Sequence, residues 1–260
     1  MTENGASLID TYDRDFYHRQ SGESATAARL ILPHVVQAVG APGTVLDIGC
    51  GVGPWLRAIQ DQLPDAEITG IDHPGVPRDL LMIAEDEFVG MDLRKAFDLG
   101  SRFDLVLSME VAEHIESENA HVFVRNLTRH ADHILFSAAV PGQGGDDHVN
   151  ERWPSFWTDL FAQEGFLCND FIRPRIWDNV EIPFWYRQNT MLFTRTPLAL
   201  SGEYRSFHGA DLVHPDLLTG SIRYHDERFA RLLFERRRIG GRRALRELKK
   251  AILRRLGLAG

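Results

Sequence analysis

Apolar positions along the chain follow two periods in turn. Residues 24–39 (SATAARLILPHVVQAV) carry small and branched apolar side chains at helical spacing, with Pro33 expected to kink or break the helix. From residue 44 the pattern changes to short apolar runs, at 44–48, 67–71, 88–91, 103–108 and 133–138, which predict five strands. Between them, residues 54–62 and 119–130 have helical patterning, and the first of these opens on Pro54, a favoured first-turn residue. Such alternation predicts an α/β fold with a mostly parallel sheet and right-handed crossovers. Residues 154–164 predict a further helix, with Trp157, Leu160 and Phe161 on one face and Gly165 ending it. Strand-like pieces follow at 168–172 and 189–194, then a polar, turn-rich stretch at 199–221. Two basic helical stretches, 223–238 and 242–256, are separated by Gly240-Gly241.

The predicted organisation is a helical lid or cap at 1–40, an α/β domain at 41–198, a linker or arm at 199–222 and a basic helical tail at 223–260. The length of 260 residues suits one domain with such additions. No apolar run approaches the roughly 18–20 residues needed to span a bilayer. The start of the chain lacks the pattern of a secretory signal. Cys50 and Cys168 cannot build a disulfide framework, so a reducing cytoplasmic location is expected, with the tail able to reach the inner face of a membrane.

Charge alters this picture only when it is divided along the chain. The formal net charge is −8, yet residues 228–260 carry +10 and the preceding 227 residues −18. An acidic body disfavours nucleic acid lying across it. In the tail, Leu245, Leu248, Ile252 and Leu256 recur at helical spacing among arginines and lysines, a pattern suited to an anionic membrane or an acidic partner.

The segment VLDIGCGVGPW, residues 45–55, carries the chemistry. A strand runs straight into Gly49, Gly51 and Gly53, where backbone without Cβ can approach a ligand, and the following helix points its free N–H groups there. Asp72 lies 23 residues beyond Gly49 at the end of the second strand, where an acid can accept ribose hydroxyls. The direct inference is a nucleoside-containing cofactor. Pro54 stands where a dinucleotide fingerprint wants its third glycine, which disfavours a nicotinamide-dependent oxidoreductase, and no G-K-[ST] of a P-loop is present.

These residues resemble the first motif of the class I S-adenosylmethionine-dependent methyltransferases. The resemblance extends to Asp72, to Asp92-Leu93 after strand three, and to FDLVLSMEVAEHI (103–115), which is similar to the fourth-strand motif of the small-molecule and glycan branch. It implies a Rossmann-like seven-stranded sheet with the last strand antiparallel, residues 41–198 being the methyltransferase domain, and S-adenosyl-L-methionine as cofactor. Asp47, Gly49 and Gly51 would cradle the methionine part, Asp72 the ribose, and Asp92 with Leu93 the adenine. SMEV at 108–111 departs from the motif of enzymes that methylate exocyclic or amide nitrogens. The implied reaction is methyl transfer to a hydroxyl of a small molecule or glycan. The alternatives are N-methylation of a small amine and a non-catalytic scaffold that uses the tail for binding.

A hydroxyl acceptor benefits from a general base, and the candidates that follow strands four and five are Glu110, Glu113, His114, Asp146, Asp147 and His148. His148, in a glycine-rich loop beside Asp146 and Asp147, is the first choice, since those carboxylates could orient its ring. Glu113 and His114 form a second catalytic candidate or simply begin a helix. Asp146, Asp147 and His148 could hold a divalent ion, but adjacent ligands in one loop are a weak pattern, and no metal is assigned. Four of the five tryptophans fall between 153 and 185 among arginines. Of this group Trp177, Trp185, Tyr186 and Arg187 are expected to flank a loop between strands and bind the acceptor, whereas Trp157 is read as core.

Overall fold

The computed structural model describes residues 14–199 and 208–220, with side chains from residue 21 onward. Expectations placed on residues 1–13, on 200–207 and on the basic tail beyond 220, including its membrane or partner contact at 242–256, lie outside the described residues. The chain divides into two compact units, Met1–His214 and Pro215–Gly260; of the second, residues 215–220 are described and helical.

The first unit is built on strands β1 (Thr44–Ile48), β2 (Glu67–Asp72), β3 (Phe88–Gly90), β4 (Leu105–Met109), β5 (His133–Ser137), β6 (Leu167–Asn169) and β7 (Met191–Thr194). Their order across the sheet is β3-β2-β1-β4-β5-β7-β6. All pairings among β1 to β5 are parallel, while β7 runs antiparallel to both β5 and β6. The expected seven-stranded Rossmann-like sheet with an antiparallel last strand is therefore found.

Alternation along the strands explains the layering, because successive side chains point to opposite faces. Val45, Leu105, Leu107 and Leu135 face one layer, formed by α1 (Arg14–Val39), α2 (Pro54–Gln62) and α5 (Ile172–Ile176). Leu46, Ile48, Val106, Ile134 and Phe136 face the other, formed by α3 (Ala120–His130) and α4 (Pro154–Gln163). Trp157 of α4 is 1% exposed and packs 5.3 Å from Phe136, as expected of a core residue. Helix α1 continues through Pro33 and begins earlier than the apolar pattern suggested.

Two short helices replace expected loop and strand. Ile172 opens α5 rather than ending a strand, and α6 (Phe184–Asn189) carries Trp185, Tyr186 and Arg187. Residues 208–214, within the stretch read as a linker, are tied to the sheet edge by a buried ion pair between Arg173 and Asp170. Arg173 also donates to the Ala210 carbonyl at 3.1 Å, and Asp170 accepts from the Gly209 amide at 2.8 Å. With both ions fully buried, these extra bonds offset the desolvation of the pair.

Candidate active site

Strand order reverses between β1 and β4, and in an open parallel sheet the crevice at that switch point receives ligands. A cleft of about 300 Å³ opens there, walled by the β1–α2 turn, the ends of β2 and β4, α1 and α6. It brings together Asp47, Gly49, Gly51, Asp72, Asp92, Leu93, His114 and Tyr186 from the sequence candidates. Glu113, His148, Trp177, Trp185 and Arg187 do not line it.

The glycine turn hangs on β2, with the amides of Gly49 and Cys50 donating to the Ile71 carbonyl at 2.8 and 3.1 Å. Gly49 has φ +90°, and a Cβ there would fall 2.4 Å from Cγ2 of Val111. Its lack of a side chain thus serves the seating of the β4 loop on the turn. Gly51, at φ +56°, has open space where its Cβ would be, so this is the position at which backbone stays accessible to a ligand. Its amide donates to Asp72 Oδ2 at 2.7 Å, which fixes the carboxylate at the rim of the turn. Asp47 is 2% exposed; burial, and after it the charge of Asp72, raises its proton affinity well above the usual carboxylate range. Asp92 is held in its charged form chiefly by the Arg94 side chain, whose Nε donates at 2.8 Å. This donor set, an acid beside a bare amide turn and apolar Leu93 beyond it, fits an adenosyl cofactor.

Where β4 ends, the cleft is lined by a titratable group. Glu110 has φ +55°, and its carboxylate accepts from Gln143 Nε2 at 2.8 Å and Asn189 Nδ2 at 3.1 Å. Glu113 and His114 sit in the 3₁₀ turn Ala112–His114. Glu113 is fully buried, and its carboxyl makes no well-formed hydrogen bond, with its own amide, the Ala139 amide and the Glu110 carboxyl beside it. Burial, and then the neighbouring Glu110 charge, pushes its proton affinity far up. His114 lines the cleft, and burial followed by the charge of His148 lowers its pKa to about 4. His148 lies behind it, the two rings perpendicular with centroids 5.0 Å apart.

The carboxylate that orients His148 is Glu151, and this replaces the expected Asp146 and Asp147, which are exposed. His148 Nδ1 lies 3.0 Å from Glu151 Oε1, and the amides of Gly142 and Gly144 donate to the two Glu151 oxygens at 2.7 and 2.8 Å. Gln143, Asn189 and Glu151 were missed as site residues; the only signal was the i, i+3 spacing of His148 and Glu151. Ser21 and Ser24 of α1 also reach the cleft, and Ser24 Oγ lies 2.9 Å from the Tyr186 hydroxyl. Trp55 meets the Tyr186 ring edge-on at 5.6 Å. Trp177 gives its carbonyl to Arg187 at 3.0 Å and to His214 at 2.9 Å, and Trp185 is half-buried against Phe184.

A family model described as "Methyltransferase domain" matches residues 17–169, more than half of the chain. A malonyl-[acyl-carrier protein] O-methyltransferase of Acetivibrio thermocellus is 40% identical over 68 residues, covering 25% of this chain and 24% of that protein. A trans-aconitate 2-methyltransferase of Yersinia pestis is 31% identical over 65 residues, with 25% and 24% covered. The matches therefore span about a quarter of these curated relatives. Among solved structures, the sugar N-methyltransferase KedS8 from a Streptoalloteichus species superposes with TM-score 0.57 at 16% identity, covering 76% of this chain and 97% of that one. A putative O-methyltransferase from Nostoc punctiforme gives TM-score 0.51 at 16% identity, with 69% and 58% covered. At such identities the two likenesses establish the fold. With the glycine turn, the acid after β2 and the sheet order all in place, the family match means that this chain belongs to the methyltransferase-domain family of class I S-adenosylmethionine-dependent proteins.

Proposed function

We propose that the chain transfers a methyl group from S-adenosyl-L-methionine to a hydroxyl of a small molecule or glycan. One observation carries this reading: the residues suited to the cofactor line one cleft together with Glu110, His114 and Tyr186, groups able to handle a proton. The cofactor supplies a methyl on a positively charged sulfur, open to in-line displacement without covalent help from protein. Asp47, Gly49 and Gly51 would hold its amino-acid part, Asp72 the ribose, and Asp92 with Leu93 the adenine. Helix α1, through Ser21 and Ser24, would act as the lid expected of residues 1–40. Positioning of the two reactants by these walls is worth up to about 7–11 kcal/mol.

A hydroxyl sheds its proton as its oxygen attacks, so it gains from the acid–base groups at the β4 end. A positioned base supplies about 10²–10⁴-fold. His114 faces the cleft, and His148, oriented by Glu151, stands behind it; we assign this imidazole pair to activation of the hydroxyl. Tyr186 is the member of the aromatic group that would touch the acceptor, with Trp177, Trp185 and Arg187 supporting the helix that carries it. The test is release of S-adenosylhomocysteine against a panel of sugars, glycan precursors, phenols and amines. Turnover on hydroxyl compounds that falls in His148→Ala, with cofactor binding intact, supports the proposal. Turnover on amines alone, or unchanged turnover in His148→Ala at neutral pH, refutes it.

A further inference from the structure

We propose that Glu113, His114 and His148 bind one divalent first-row transition-metal ion at the wall of the cleft that His114 lines. What the ion does rests on the reading above; that it binds does not.

The three ligands come from two loops that the fold brings together, the turn after β4 and the loop after β5. One carboxylate oxygen and two ring nitrogens lie within 4.8 Å of one another, and among the described residues this is the group of histidines, cysteines and acids that meets so closely. The loops are clamped by the Glu113 carbonyl, which accepts the amides of Val149 and Asn150, both at 2.9 Å.

The Glu113 side chain points to a cation most directly. It has no exposure, and its oxygens make no well-formed hydrogen bond; its own amide, the Ala139 amide and the Glu110 carboxyl are the groups that approach them. Held ionised there, such a carboxylate is among the costliest arrangements in a protein interior, and a directly coordinated cation would offset that cost. The carboxylate of Glu110, anchored by Gln143 and Asn189, adds a second negative neighbour.

The histidines are arranged as ligands are. Nδ1 of His148 is engaged by Glu151, which two backbone amides hold in turn, and this leaves Nε2 as the ligating atom. Such carboxylate–histidine support fixes tautomer and ring orientation in metal sites. Gly145 packs on the same ring, because a Cβ there would fall 2.3 Å from Nε2, so a side chain at 145 would displace the imidazole. The His114 ring is bonded to the Asp147 backbone and lines the cleft. Two nitrogens and one carboxylate oxygen suit manganese, iron, cobalt or zinc better than magnesium or calcium. An ion so held would occupy both imidazoles as ligands and take over the activating role given to them above: it would draw the acceptor oxygen and lower its proton affinity, the proton leaving to solvent before the oxygen takes the methyl. No electrons change hands in that step.

The experiment is titration of Co²⁺ into full-length protein stripped with a chelator, followed by visible absorption and calorimetry without acceptor. One Co²⁺ per chain is expected, with ligand-field bands. Affinity should fall by about 100-fold or more in Glu113→Gln and in His148→Ala, and by about 10–100-fold in Glu151→Gln. His121→Ala, away from the cluster, should bind as the parent does. Glu113 is in the core and His148 in a loop, so the two variants do not share one folding risk; retained cofactor binding marks the folded ones. Wild-type affinity no tighter than that of either folded variant overturns the site. Methylation by a chain that binds no Co²⁺ would refute the metal alone, whereas Co²⁺ binding without methylation of any hydroxyl would refute the function alone.

Discussion

Replacing Gly49 with alanine should separate two reasons for a glycine in the β1–α2 turn. The residue has φ +90°, which costs an L-amino acid about 1–2 kcal/mol. The added Cβ would also lie 2.4 Å and 2.6 Å from the two Val111 methyls, where carbon atoms prefer about 3.5–4.0 Å. Val111 would have to move by more than an ångström in a packed loop, an overpacking cost of about 1–3 kcal/mol. Together these give about 2–5 kcal/mol, a large share of the roughly 5–15 kcal/mol that holds a domain folded. Gly51→Ala carries the conformational cost alone, about 1–2 kcal/mol, because nothing lies within 4 Å of its Cβ position. The assay is guanidinium unfolding of the parent, both single variants, Val111→Ala, and the Gly49→Ala/Val111→Ala pair. The double-mutant cycle should return a favourable coupling of about 1–3 kcal/mol. Equal losses in Gly49→Ala and Gly51→Ala, or an additive pair, would refute the steric account.

Cofactor affinity should show the reverse ranking of the folded variants: Gly51→Ala places a methyl in open space beside Asp72 and should weaken S-adenosylhomocysteine binding more than its stability loss suggests, as calorimetry would report. Asp72→Ala removes a charged acceptor worth about 1.5–3 kcal/mol, so binding should fall about 10–100-fold while the sheet stays folded by circular dichroism. Asp47 has its proton affinity raised in the folded state by burial and then by Asp72, so the folded chain holds that proton longer than the unfolded one. The stability of the cofactor-free protein should therefore fall as pH rises above the usual aspartate range, by up to about 1.4 kcal/mol per pH unit, and Asp47→Asn should flatten that slope in denaturant midpoints. Ser24→Ala and Tyr186→Phe each break the α1–α6 hydrogen bond and should each cost about 0.5–1.5 kcal/mol, with the double variant costing little more than one alone.

The parallel half of the fold was legible because each strand is a short apolar run ending in a turn signal. Thr44–Ile48 runs directly into three glycines and Pro54, and strand and helix appear there as read. The antiparallel edge was harder. Helix α5 is IRPRI and α6 is FWYRQN, five and six residues respectively, too short to express a helical period and rich in types that also favour strands. They are helical because of what they pack against: Arg173 reaches Asp170 and the 208–214 strap, and Arg187 reaches Trp177 and His214. None of those partners is visible in local patterning. For the same reason the tryptophan–arginine cluster looked like one acceptor surface, while only Tyr186 of the four expected acceptor residues lines the cleft. The cofactor end could be read because its residues sit at strand ends in sequence order. The acceptor end depends on how a glycine-rich loop turns: with Asp147 at φ +56°, the carboxylates adjacent to His148 in sequence are exposed, and Glu151 meets its ring.

The most direct test of the central reading is the fate of an isotopically labelled methyl group supplied on S-adenosylmethionine to the full-length chain with the acceptor panel. Resonance of the labelled carbon in the product distinguishes a methoxy group from an N-methyl group. A methoxy product formed with stoichiometric S-adenosylhomocysteine, and lost in His148→Ala, is the predicted result. Label recovered only on nitrogen, or a chain that binds the cofactor and methylates no hydroxyl, would contradict it.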